Sequence, residues 1–228
     1  MGRTITVNRT TAYATTAGLA LPKQPGAPAR EACDPLPTAV VRDLRDREGH
    51  SPHGLHFGTS DVVVVTGLPG SGKSTLMRRA VSGPRVDSQD TRDRWDGRVS
   101  RWLPYAAYRP LVRLAHYTGL RRALRSGAGV VVHDCGTQAW VRRWLAREAR
   151  RRGGALHLLL LDVTPGTALD GQRERGRGVS RYAFGRHRGA VKRLLRSVEK
   201  GHLPEGCGSA VLLDRDAADV LRRIDFGG

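Results

Sequence analysis

The chain has 228 residues, 39% of them hydrophobic, enough for one α/β domain with a core and a tail. Its three cysteines, Cys33, Cys135 and Cys207, are far apart and form no CxxC pair, which speaks against a disulfide framework or a zinc site and suits a reducing, cytoplasmic setting. The formal charge of +18 permits a nucleic-acid partner, although with only four lysines the excess is nearly all arginine, as GC-rich codon use also produces.

Residues 1–59 are expected to be a poorly ordered N-terminal extension. Pro22, Pro25, Gly26, Pro28, Pro35 and Pro37 interrupt any element, with room for a short helix near Thr38–Glu48. No signal-peptide layout is read at the start, and no apolar run is long enough to span a bilayer, so no membrane partner is expected. His50, His53 and His56 are evenly spaced, as metal ligands can be, but no cysteine or acidic set joins them, and the stretch reads as loop.

From residue 60 to 228 strands and helices alternate. Val62–Thr66 is a continuous β-branched run, the mark of a buried parallel strand. Helices are expected at 73–82, 90–95, 105–126, 138–152, 167–173, 181–200 and 217–224, and further strands at 85–88, 129–133, 155–161 and 210–213. That alternation means a parallel sheet covered on both faces.

Between the first of these strands and its helix, "GLPGSGKS" (Gly67–Ser74) fits the phosphate-loop pattern G-x-x-x-x-G-K-[ST] at every position. Gly67, Leu68, Pro69, Gly70, Ser71, Gly72, Lys73, Ser74 and Thr75 are therefore the expected nucleotide-binding residues. Glycines let the backbone close around phosphate oxygens, and the helix N-terminus adds partial positive charge. Lys73 should reach the β- and γ-phosphates and Ser74 should ligate Mg²⁺. A second carboxylate is needed beside the metal. Asp134 and Asp162 both end strands; Asp134 is preferred because "HDCGT" turns toward a helix at the carboxyl edge, where ligands gather.

A phosphate loop alone does not choose a reaction. The chain is too short for the added helical domain of AAA machines, and it lacks an NKxD-type base-reading motif. Asp170–His187 clusters Arg173, Arg175, Arg177 and Arg181 among glycines, as a closing lid would need. The aromatic group Trp95, Trp102, Tyr105 and Tyr108 is either core packing or a surface over the acceptor.

Taken in order, "GLPGSGKST", "DSQDTRDRW", "VVVHDCGTQAWVRRWL", "LLLLDV" and "ALDGQRERGRGVSRYAF" resemble the small P-loop kinases related to polynucleotide 5′-hydroxyl kinase, a group with zeta-toxin-like and antibiotic phosphotransferase members. The resemblance runs from Asp61 to about Lys200. It implies an α/β, three-layer P-loop NTPase with a five-stranded parallel sheet, helices on both faces and a lid at about 170–181. It implies ATP and Mg²⁺, and transfer of the γ-phosphoryl group to a hydroxyl of a small molecule or nucleic-acid end. Such kinases carry Ser-Asp-x-x-Arg after the second strand, the Asp being the general base. Here Ser88–Arg92 reads "SQDTR", placing Gln89 at the Asp position. Asp90 is the expected base, with Asp87 as its alternative, and Arg175 matches the phosphate-contacting lid arginine. The alternative reading is an ATP-binding regulatory or nucleic-acid-binding module that transfers nothing to an acceptor.

Overall fold

In the computed structural model, residues 40–48, 50–97, 105–133, 139–174 and 180–227 are described. Asp134, Arg175, Arg177, Trp102 and residues 1–39 lie outside them, as do the side chains of Tyr105 and Arg181. In chain order the elements are β1 (Val40–Asp43), β2 (Gly54–Phe57), β3 (Val62–Gly67), α1 (Lys73–Ala80), β4 (Arg85–Val86), α2 (Ser88–Asp96), α3 (Tyr105–Arg125) and β5 (Val130–His133). There follow α4 (Ala139–Arg151), β6 (Leu156–Leu161), α5 (Pro165–Arg173), α6 (Arg181–Glu199), β7 (Cys207–Leu213), α7 (Arg215–Val220) and β8 (Arg223–Phe226).

All six residues of β3 are buried. Side chains alternate across a strand, so a fully buried run needs cover on both faces. Val63 and Val65 pack with Leu76 and Met77 of α1 and with Ala217 and Ala218 of α7. Val62 and Val64 pack with Leu120 of α3, Leu145 of α4 and Val198 of α6. The result is three layers around one parallel sheet in the order β1-β7-β6-β3-β5-β4.

The sheet has six strands, not the five that the resemblance implied. The added strand is β1, in the stretch that left room for a short helix; Val40 and Val41 pair in parallel with Ser209 and Ala210 of β7. Two β-branched residues beside an otherwise open sheet edge favour pairing over an isolated helical turn. β2 falls in the histidine-bearing segment and pairs in parallel with β8. Both strands therefore come from the stretch read as extension. The expected closing helix over 217–224 stops at Val220, and Arg223–Phe226 becomes β8. Ile224 is buried and Phe226 packs against the same cluster, two residues apart, a strand period.

The N-terminal edge of the sheet is tied by one carboxylate. Asp61 accepts the N–H of Gly58 at 2.6 Å and of Ala155 at 2.7 Å. His157 Nε2 lies 2.9 Å from Asp61 Oδ2, and His157 Nδ1 lies 2.7 Å from Ser209 Oγ. No helix among the described residues is long and apolar enough to cross a membrane.

Candidate nucleotide site

The loop after β3 holds its shape through glycine and through α5. Gly70 has φ 89° and Gly72 has φ 92°, in the left-handed region. A Cβ on Gly70 would also stand 1.9 Å from the carbonyl oxygen of Ala168 in α5. Only glycine permits so close an approach. The buried Gln172 of α5 donates its Nε2–H to the carbonyl of Pro69 at 2.9 Å. Leu68 packs with Val163, Ala168 and Phe184, which anchors the loop to the C-terminal edge of the sheet.

Helix α1 begins at Lys73 with Gly72 as its N-cap, no side-chain cap and no acidic residue in the first turn. The partial positive charge at this helix end favours an anion there. Lys73 is buried, and its Nζ donates to the carbonyls of Gly67 at 2.9 Å and Leu68 at 2.6 Å, with Ser71 Oγ at 3.4 Å. The ammonium is thus held inside the loop by groups that a phosphate would outcompete.

Ser74 is buried beside Asp87, the residue that ends the β4 turn. Asp87 is the N-cap of α2 and is only 3% exposed. Its Oδ1 accepts the N–H of Gln89 at 2.8 Å and lies 2.9 Å from His133 Nδ1. Ser88 Oγ is 3.0 Å from the same ring nitrogen. Burial pushes the Asp87 carboxyl up, but His133, the Ser74 hydroxyl and the Gln89 amide together hold it well below the ordinary carboxylate range. Asp87 Oδ2 is buried and makes no hydrogen bond of good geometry. An ionised, buried oxygen with no completed bond, beside a serine hydroxyl at the mouth of the loop, fits Mg²⁺ or its water shell.

Asp90 sits in the first turn of α2, partly exposed, with its Oδ2 3.9 Å from Arg85 Nε. Gln89 turns away to donate to Asp93 Oδ1 at 3.3 Å. Asp162 is committed elsewhere: Arg45 donates to its Oδ2 at 2.7 Å, while also binding Asp43 and Glu199. Tyr108 is buried and donates to Asp96 at 2.6 Å, which makes it part of the α2–α3 packing.

Two further residues join the site without having been singled out. His133 orients Asp87; its signal was a polar residue ending a run of valines. Arg215, after β7, lines a cavity of about 240 Å³ with Gly70, Thr75, Arg79 and Glu174. Its guanidinium would be 3.6 Å from a Cβ at Gly72 and is held by Asp219 at 3.1 Å. That cavity opens beside the loop on the α7 side, large enough for part of a nucleotide.

A parallel three-layer α/β sheet carrying this loop defines a P-loop nucleotide-binding domain. Residues 62–200 match the family described as AAA domain, and the chain belongs to that family. The match covers the P-loop domain and does not reach the narrower kinase group that the motifs resemble. No curated protein matches the chain in sequence. Similar solved structures include a tunicamycin resistance protein from Deinococcus radiodurans, 16% identical, covering 60% of this chain and 80% of that one at a TM-score of 0.38. The PezAT toxin–antitoxin system of Streptococcus pneumoniae is 12% identical, with 70% and 69% covered and a TM-score of 0.49. Shikimate kinase from Acinetobacter baumannii is 16% identical, with 70% and 87% covered and a TM-score of 0.41. At these scores the likenesses do not decide an activity.

Proposed function

We propose that the chain is an ATP-dependent phosphotransferase that moves the γ-phosphoryl group to a hydroxyl acceptor. The observation that carries this reading is Asp87 Oδ2, buried and without a completed hydrogen bond, next to Ser74 and the phosphate loop. That carboxylate suits Mg²⁺-bound nucleotide, and the partly exposed Asp90 at the start of α2, as a base for an acceptor hydroxyl, supports the step from binding to transfer.

The loop amides and the start of α1 bind the phosphates. Lys73 moves from the Gly67 and Leu68 carbonyls to the β- and γ-phosphate oxygens. Ser74 and Asp87 would hold Mg²⁺, which supplies neutralising charge for the transferring group. Asp134 is the second candidate for that shell. Asp90, partly exposed at the start of α2, accepts the proton of the attacking hydroxyl. Arg175, on the lid segment that follows α5, neutralises charge on the phosphoryl group in flight.

The test is transfer of labelled γ-phosphate from ATP with Mg²⁺, with and without pooled sugars, nucleosides, aminoglycosides and 5′-hydroxyl oligonucleotides. Label should appear on one acceptor class. Lys73→Ala should lower turnover by about 100-fold or more while the protein stays folded; unchanged turnover would overturn the loop's role. Gln89 in place of a carboxylate favours one other reading, a nucleotide-gated ATPase. Release of inorganic phosphate with no response to any acceptor would establish it.

A further inference from the structure

Helices α3 and α4 end at the N-terminal edge of the sheet, the edge opposite the phosphate loop. Between their last turns runs an open cleft of about 720 Å³. Arg121 and Arg125 line it from α3, and Arg147 and Arg151 line it from α4. Each pair is four residues apart, so each repeats along its helix at about 6 Å and faces the same side. All four are exposed. Arg152 forms the floor, tied to the carbonyls of Leu124 and Ser60 at 3.0 and 2.8 Å.

Folding does not call for this arrangement. Like charges four residues apart repel along a helix, and here two such ladders also face each other. The cleft's single carboxylate, Glu148, is taken by Arg151 at 2.9 Å. Among the described residues, no carboxylate pairs with Arg121, Arg125 or Arg147. GC-rich codon use explains many arginines but not their gathering in one cleft. Trp144, half-buried and packed in part against the core beneath, lines the same cleft.

We propose that this cleft is a second binding site, for single-stranded nucleic acid. Two arginine rows track a phosphodiester backbone as bidentate, permanently charged donors. The indole offers a face on which a base stacks without regard to sequence. The chain's own residues 1–39 are a poor occupant, since they carry four basic residues (Arg3, Arg9, Lys23, Arg30) against two acidic ones (Glu31, Asp34). The site stands apart from the phosphate loop and does not depend on the transferase reading.

The test is fluorescence anisotropy of a labelled oligodeoxythymidine with the full chain, without nucleotide, between 50 and 200 mM salt. Parent protein should bind with a steep salt dependence. Replacing Arg121, Arg125 and Arg147 together by glutamine should weaken binding more than about 10-fold and reduce the salt slope by about 2, at roughly 0.7 per phosphate contact for single strands. The matched variant Arg188→Gln, Arg193→Gln, Arg196→Gln removes equal charge from exposed positions on α6 and should bind like the parent. Trp144→Phe keeps a packed ring and should lower affinity a few-fold while duplex DNA is held no better. Equal loss in both triple variants would mean general attraction to a basic protein and would overturn the site. So would no loss in the cleft variant, or displacement by polyglutamate as effective as by a second oligonucleotide.

Discussion

Two aspartate–histidine–serine sets stand at opposite edges of the same sheet, and they differ in one respect. At the N-terminal edge, Asp61 has both oxygens engaged, by Gly58 N–H, Ala155 N–H and His157. Ser209, the third member, lies within β7, where it pairs with Val40 of β1 and His157 of β6. At the C-terminal edge, Asp87 has Oδ1 engaged by Gln89 N–H and His133, but Oδ2 is left beside Ser74. Identical residue types thus make a strut in one place and a candidate metal-side group in the other. What separates them is whether the buried oxygens are satisfied by the protein itself.

Substitutions in the two sets should separate stability from binding. The largest effect belongs to Asp61→Ala, which strips two backbone N–H groups and His157 of their acceptor; it should cost about 3 kcal/mol in denaturant unfolding with nucleotide affinity unchanged in the folded fraction. Asp87→Asn should act chiefly on binding: Mg²⁺-dependent ATP affinity, measured calorimetrically, falls about 30-fold, with a loss of stability smaller than that of Asp61→Ala because the amide oxygen still caps α2. A large loss of stability with intact Mg²⁺ dependence would make Asp87 a strut like Asp61. Ser209→Ala should cost about 1 kcal/mol, one net hydrogen bond, and leave turnover alone. The smallest effect is in acid. The Asp87 carboxyl is depressed in the folded state, so its contribution is fully present above its ordinary value of 3.8 and is lost as pH falls through the lower folded value. Asp87→Asn should therefore unfold in acid with a shallower pH dependence than the parent, and an identical acid limb would contradict the depressed carboxyl.

The central strand and its loop were legible because their signals are local. Val62–Val65 can only be a strand buried on both faces, and the glycines at 70 and 72 announce backbone angles that other residues avoid. β1 was not legible. Four residues after a proline-rich stretch have no period of their own, and their strand exists because β7 offers an open edge. The same holds for β8, where the helical start at 215–220 masked a two-residue alternation beyond Leu221. In the site, the sequence offered Asp134 or Asp162 beside the metal and Asp90 or Asp87 as the base, and Asp87 was not read as a metal-side group. The structure sets Asp87 against Ser74 through the β4 turn, while Arg45 occupies Asp162 from a segment more than a hundred residues earlier.

The sequence by itself determined the P-loop and the parallel α/β class, because both follow from backbone angles and side-chain period within a few positions. Only the tertiary structure decided which carboxylate keeps an oxygen in reserve, which is spent in an ion pair, and which arginines share one cleft. Those are matters of which distant groups come within hydrogen-bond reach, and hydrogen-bond satisfaction is a property of neighbours in space, not of neighbours in the chain.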